Sequence, residues 1–130
     1  MATIRNYRDL DVYQNSMQLV MKVFALSRRF PREEQYSLTD QFRRCTRSVC
    51  ANLAEAWRKR RYAAAFVAKL NDAGAEAAES SVHAEIAWRA GYVSEETFRE
   101  LDDASDKIIG QIVRIADHPE KWVIGSKRNS

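Results

Sequence analysis

Residues 30–57 read FPREEQYSLTDQFRRCTRSVCANLAEAW and combine a helix start, an apolar stripe and a separate arginine face. Phe30 and Pro31 end any preceding helix, because a proline disfavours helical geometry in the residue before it. Ser37 stands at an N-cap position, and Asp40 makes an acidic variant of the capping box. Apolar side chains three or four residues apart then form one face: Leu38, Phe42, Cys45, Val49, Leu53 and Trp57. The segment therefore predicts an amphipathic helix over about residues 37–59.

The same periodicity predicts three more helices, over about residues 9–29, 63–90 and 94–117. Gly91 is suited to end the third helix, and Ser94 with two following glutamates is suited to begin the fourth. Four helices with short connectors predict an all-α, antiparallel up-down-up-down four-helix bundle. We expect one domain over residues 1–130, with residues 118–130 as a C-terminal tail whose end frays.

Composition and cysteine spacing indicate a cytoplasmic protein. The 130 residues are 45% hydrophobic and 30% charged, which is typical of a globular domain. Cys45 and Cys50 lie about 140° apart on one helix and so cannot pair or share a metal, which fits a reducing compartment. The N-terminal residues lack the basic and apolar regions of a secretory signal, and no apolar stretch approaches the roughly 20 residues of a membrane span.

Charge divides the chain into two opposite halves. Residues 1–61 contain 13 basic and 6 acidic residues, net +7, whereas residues 62–130 contain 8 and 12, net −4. This asymmetry has two interpretations: a basic surface for a polyanion, or basic and acidic faces that neutralise each other within or between chains.

The basic residues of the second helix are the candidate nucleic-acid contacts. Arg43, Arg44 and Arg47 lie within about 100° of one another on this helix, nearly opposite the apolar face. With the basic residues that follow, the candidates are Arg43, Arg44, Arg47, Arg58, Lys59, Arg60 and Arg61. Alternatively they are solvated charges, with Asp40 and Glu55 pairing to cations three or four residues further on. Because no aromatic residue interleaves with the arginines, we expect binding of weak sequence specificity.

Small and acidic residues are the candidate oligomer contacts. Ser48, Ala51 and Ala54 lie near the arginine face, where small residues outside the core favour a helix contact between subunits. The third helix carries an acidic row, Asp72, Glu76 and Glu79, followed by His83. Such a row needs a nearby cation, which arginines of the second helix, solvent and salt, or a bound divalent metal could supply.

The sequence predicts neither a metal site nor a catalytic site. A di-iron bundle uses Glu-x-x-His pairs, and neither His83 nor His118 follows a glutamate at that spacing. We interpret Cys45 and Cys50 as inert packing residues, and no nucleophile elbow, phosphate loop or H-E-x-x-H motif occurs in the sequence. We therefore expect a protein that is not an enzyme and has no cofactor.

Several short motifs stand at fixed offsets along most of the chain. They are the FP, EE, Y-x-L-T, Q-x-R-R, S-V and A-N-x-A-E elements at Phe30-Pro31, Glu33-Glu34, Tyr36 to Thr39, Gln41 to Arg44, Ser48-Val49 and Ala51 to Glu55. Leu10, Val12, Tyr13, Glu76 to Glu79 and Gly91 to Val93 add to them. Over roughly residues 5–117, the chain thereby resembles the four-helix bundle proteins of the ribosomal-RNA intervening-sequence family. Ala56 stands where this family usually has glycine, and the later helix lacks the common Gly-Ser pair.

The resemblance implies a homopentameric bundle with a role that is not enzymatic. One branch of this family is encoded within insertions of large-subunit ribosomal RNA genes. Another is the accessory variability protein of diversity-generating retroelements, which binds nucleic acid and a reverse transcriptase. Two hypotheses follow: an oligomeric adaptor whose basic surface binds nucleic acid or such a partner, and a purely protein-binding scaffold whose basic and acidic faces pair across subunits.

Overall fold

The structure, a computed structural model, describes residues 3–124. It contains four long helices: α1 Asp11–Ser27, α2 Leu38–Arg58, α3 Ala63–Arg89 and α4 Glu95–Asp117. Single turns of 3-10 helix occupy Tyr7–Asp9, Arg32–Glu34 and Pro119–Lys121. Residues 3–124 contain no β-strand, so the all-α prediction is confirmed, and each helix begins and ends within two residues of its predicted position. The predicted fraying of residues 125–130 lies outside the described residues.

The four helices pack as a bundle around one core. Helix α2 contacts α1 and α3, while α4 contacts α3 and α1, so that the four helices form a closed ring of neighbours. The short connectors at residues 59–62 and 90–94 make consecutive helices antiparallel. All six residues of the predicted α2 stripe are buried. None of the helices within residues 3–124 is long and apolar enough to span a membrane.

Helix α3 meets its neighbours through alanines. Ala73, Ala77 and Ala84 have no exposed surface. Side chains this small let the axes of packed helices approach closely. As a result, side chains of α2 and α3 that flank this contact lie within a few ångströms of each other.

Ser37 is the N-cap residue of α2, as predicted, but the capping hydrogen bond expected of its side chain is not formed. The Ser37 side chain accepts no capping hydrogen bond; its hydroxyl instead donates to Oε1 of Glu34 at 2.5 Å. The same carboxylate accepts from the backbone N–H of Leu38 at 3.3 Å. The turn at Arg32–Glu34 places Glu34 beside the start of α2, so a carboxylate from the preceding turn replaces the serine hydroxyl as the acceptor.

The predicted end of α3 at Gly91 and the predicted start of α4 at Ser94 are confirmed. Gly91 has φ of 85°, a left-handed conformation that glycine adopts without the steric penalty of a Cβ atom. At the next residue, the backbone N–H of Tyr92 donates to the carbonyl of Ala87 at 2.8 Å. Ser94 Oγ accepts from the backbone N–H of Thr97 at 3.0 Å, which is an N-cap bond.

Glu34 also joins the α1–α2 connector to the α3–α4 connector at one end of the bundle, and makes stability depend on pH. Its Oε2 accepts from the Tyr92 hydroxyl at 2.9 Å. Hydrogen bonds from Ser37 and Tyr92 hold the pKa of Glu34 below its ordinary value of 4.5. A carboxylate whose pKa is lowered by folding stabilises the protein above its unfolded pKa, and that contribution is lost as the pH falls through the folded pKa.

We therefore expect Glu34→Gln to lower the melting temperature at neutral pH. The difference between wild type and variant should shrink as the pH falls from about 5 to about 3, because the wild-type carboxylate then becomes protonated and uncharged like the amide. Thermal melts followed by circular dichroism across this pH range check it. Glu33→Gln, at the exposed neighbouring position, is the control. A difference independent of pH would contradict the assignment.

Candidate functional site

Exposed basic residues lie along α2 and in the connector after it. Arg44 and Arg47 are exposed on α2, and Arg58, Lys59 and Arg61 are exposed where α2 ends. We call these five residues the basic edge. Across residues 3–124, no ion pair within 4 Å involves any of the seven predicted contact residues. None of the five residues of the basic edge therefore forms an ion pair within residues 3–124.

The ion pairs predicted within α2 are wrong. Glu55 pairs with Lys69 of α3 at 2.8 Å instead of a cation on its own helix, and Asp40 has no cation within 4 Å among residues 3–124. The reason is the packing of α3 on α2, which brings the half-buried Lys69 ammonium to Glu55. The hydrogen bond from Lys69 lowers the pKa of Glu55 and raises that of Lys69. Periodicity along one helix could not reveal a partner on another.

Two of the predicted contact residues are held by the fold. Arg60 stacks its guanidinium 3.4 Å from the centre of the Trp57 ring and donates from Nε to the Trp57 carbonyl at 2.8 Å. Its own carbonyl accepts from the N–H of Ile124 at 3.0 Å. Arg43 donates from Nε to Ser27 Oγ at 2.8 Å and lies 4.9 Å from the Phe24 ring centre, so it faces α1. Both side chains are half-buried, unlike the basic edge.

An aromatic side chain accompanies the basic edge, contrary to what the arginine spacing indicated. Tyr62 directly follows Arg61 and is 65% exposed. An exposed aromatic ring next to cations is suited to stack on a nucleic-acid base. Its position in the sequence RKRRY is the signal that could have identified it.

The acidic row faces a cleft between α2 and α3. Gln41, Arg44, Cys45, Ser48, Glu76 and Glu79 line this cleft, whose volume is about 430 Å³. Burial, together with the negative charge of Glu79, raises the pKa of Glu76, while Arg44 opposes that shift. Asp72 lies 3.8 Å from Lys69. Arg44 therefore lies in one cleft with two acidic residues of the same chain.

The predicted oligomer contacts lie on two different parts of the surface. Ser48 lines the cleft, Ala51 is exposed and Ala54 is half-buried.

The outer face of α3 has a feature that the sequence analysis did not identify: Val82 and Ile86 are 56% and 44% exposed. They lie on one side of α3 with exposed alanines, which together form an apolar stripe: Ala68, Ala75, Ala78, Val82 and Ile86. The signal was their spacing of three, four and seven residues along α3.

Three potential metal ligands meet at the inner end of the cleft. Ligand atoms of Cys45 from α2, and of Glu79 and His83 from α3, all lie within 4.8 Å of one another. Cys45 Sγ also lies 3.2 Å from Ser80 Oγ. Burial raises the pKa of the Cys45 thiol to about 11 and lowers the pKa of His83. The sequence placed Glu79 and His83 in one row, with a divalent metal as one possible cation, because residues four apart share a helix face. It did not identify Cys45 as the third ligand, since Cys45 reaches the row only through the packing of α2 on α3.

The fold and the basic edge define a small four-helix bundle protein with an exposed cationic surface. A family model described as 23S rRNA-intervening sequence protein matches residues 8–114, and the chain therefore belongs to this family. The predicted resemblance to the intervening-sequence family is therefore confirmed.

A solved structure supports the same assignment. The crystal structure of a protein with unknown function from the S23 ribosomal protein family of Bacteroides thetaiotaomicron VPI-5482 is similar, with a TM-score of 0.73 and 25% sequence identity. The alignment covers 82% of this chain and 95% of that one. No curated protein matches the chain.

Proposed function

We propose that this protein is a non-catalytic, homo-oligomeric adaptor whose basic edge binds nucleic acid. The observation that supports it is the exposure of Arg44, Arg47, Arg58, Lys59 and Arg61 without a carboxylate within 4 Å among residues 3–124. Because the family description names the 23S rRNA intervening sequence, RNA is the first ligand to test. A nucleic-acid-handling protein such as a reverse transcriptase is the partner that the resemblance implies.

The dimensions of the basic edge suit a nucleic-acid strand. Arg44 and Arg58 are about 21 Å apart along α2 at 1.5 Å per residue, which spans several successive phosphates. Long cationic side chains on a helix track phosphates without reading base edges, so the proposed binding is largely independent of sequence. Stacking of a base on Tyr62 would add affinity with the same tolerance of sequence.

The wild-type protein should bind single-stranded RNA with an affinity that falls steeply with salt. If all five cations of the basic edge contact phosphates, the slope of log K against log salt should approach about −3.5, at about −0.7 for each contact with a single strand. Fluorescence anisotropy with a labelled oligonucleotide, between about 50 and 200 mM salt, measures it. Salt-independent binding, or no binding at low salt by protein that circular dichroism shows to be folded, would contradict the proposal.

The apolar stripe of α3 supports the oligomeric part of the proposal. Exposed apolar side chains grouped on one helix face are more typical of a subunit contact than of a monomer surface. The pentamer remains what the resemblance implies, and native mass spectrometry gives the subunit number directly. A monomer at micromolar concentration would contradict this part.

The scaffold hypothesis predicts a different result from charge reversal. If arginines of α2 pair with acidic residues of a neighbouring subunit, Arg47→Glu should dissociate the oligomer and Asp72→Arg should restore it. The placement of Arg44 beside Glu76 and Glu79 within one chain reduces the need for such pairing. Failure of the rescue, together with salt-dependent RNA binding, favours the adaptor.

A further inference from the structure

His83 is a buried side chain whose polar atoms have no partner. It is 7% exposed, and within residues 3–124 neither Nδ1 nor Nε2 makes a hydrogen bond. Buried polar side-chain atoms are nearly always hydrogen-bonded, because an unpaired group loses its hydration without compensation. A neutral imidazole has one nitrogen with a free lone pair, and that nitrogen is a common metal ligand. The burial of His83 thus indicates a bound group that accepts this lone pair.

The neighbours of His83 carry groups that can bind a metal ion. Glu79 lies one turn earlier on the same face of α3, and Cys45 approaches from α2. Their ligand atoms and that of His83 all lie within 4.8 Å of one another. Atoms bound to one tetrahedral zinc ion at 2.0–2.3 Å lie about 3.3–3.8 Å apart, so side-chain adjustments of about 1 Å bring the three donors onto one ion.

A cleft leads from solvent to two members of the cluster. Cys45 and Glu79 both line the cleft between α2 and α3, and Glu79 is exposed at its mouth. Glu76 lines the same cleft and adds a second carboxylate. Arg44 opposes a cation there, but its side chain is exposed and can turn toward solvent. An ion therefore has both a path to the cluster and a surplus of negative charge beside it.

We propose that Cys45, Glu79 and His83 form a binding site for a divalent transition-metal ion of the zinc class. A thiolate, an imidazole and a carboxylate are the donors that zinc takes, whereas magnesium and calcium take oxygen donors alone. Binding deprotonates the Cys45 thiol and releases that proton to solvent. Three protein ligands leave the fourth position to water or to Glu76. The bound ion joins α2 to α3, and the proposal does not depend on nucleic-acid binding.

Metal titration of the untagged wild-type protein tests this site. We expect equilibrium dialysis against zinc, followed by elemental analysis, to give one ion per chain, and we expect added zinc to raise the melting temperature. Cobalt(II) in place of zinc should give near-ultraviolet thiolate-to-metal absorption together with visible bands of tetrahedral cobalt. Wild type that retains no stoichiometric zinc, or a cobalt complex without the thiolate band, would overturn the proposal.

Matched variants identify the ligands. Cys45→Ser and Glu79→Gln should each weaken zinc binding by more than the roughly 10–100-fold that loss of a supporting group costs, and Cys45→Ser should abolish the thiolate band. Cys50→Ser is the control: Cys50 is equally buried on α2, and burial likewise raises its pKa to about 11. His118→Gln controls for adventitious binding at the exposed histidine. If Cys45→Ser fails to fold, Glu79→Gln at the cleft mouth decides, and wild-type affinity in that variant would refute the site.

Discussion

Phe42→Ala is expected to lower the free energy of unfolding by about 3–5 kcal/mol. The Phe42 side chain is 1% exposed, on the face of α2 that packs into the core, and its ring centre lies 5.9 Å from that of His83. Alanine loses the burial of the ring and leaves a cavity that rigid helix packing fills only in part. Because a domain of this size is stable by only about 5–15 kcal/mol, this is the largest effect of a single substitution that we predict.

Chemical denaturation and thermal melts followed by circular dichroism measure this loss. At equal protein concentration, the melting temperature should fall by about 10–20 °C. Tyr36→Ala is the control, because the Tyr36 side chain is 86% exposed, and it should change stability by no more than about 0.5 kcal/mol. A Phe42→Ala variant within about 1 kcal/mol of wild type would show that the Phe42 ring does not pack into the core as described.

Periodicity along the chain was sufficient to predict the helices and their buried faces, because burial against a common core imposes a spacing of three or four residues. Residue type was sufficient at Gly91 and Ser94, where the end of a helix is set by a residue's own chemistry. At Ser37 residue type gave the N-cap position but not the capping hydrogen bond, because the acceptor belongs to Glu34 in a turn whose geometry no local spacing describes. A sequence pattern therefore predicts features that depend only on residues near each other in the chain.

The candidate site residues also divide into those that the sequence pattern predicts and those that depend on contacts between helices. Exposure of Arg44 and Arg47 followed from their angle on α2, whereas the stacking of Arg60 on Trp57 and the pairing of Glu55 with Lys69 depend on how the chain turns and how α3 packs. The approach of Cys45 to His83 needs the small alanines of α3 as well as both helix registers. Contacts between helices require the relative rotation of two helices, which a sequence pattern does not contain.

Replacing Arg58, Lys59 and Arg61 with glutamine is expected to weaken the binding of single-stranded RNA by about 10²-fold at about 0.1 M salt. Each lost contact with a single strand lowers the slope of log K against log salt by about 0.7, so three lost contacts lower it by about 2. These side chains are exposed and lie together where α2 ends, which is why their removal should leave the fold intact. Arg60 is kept, because its guanidinium stacks on Trp57 and its change would disturb the connector.

A second triple variant separates local contact from net charge. Lys22, Arg89 and Arg99 each pair with a carboxylate, and replacing them with glutamine removes the same three positive charges from other surfaces. Counterion release depends on cations that actually contact phosphates, so this control should keep nearly the wild-type slope. Equal losses in the two triple variants would mean that RNA responds only to net charge, and the basic edge would then not be the binding surface. A lower slope in the first variant alone, with unchanged circular dichroism, would locate the contacts at the end of α2.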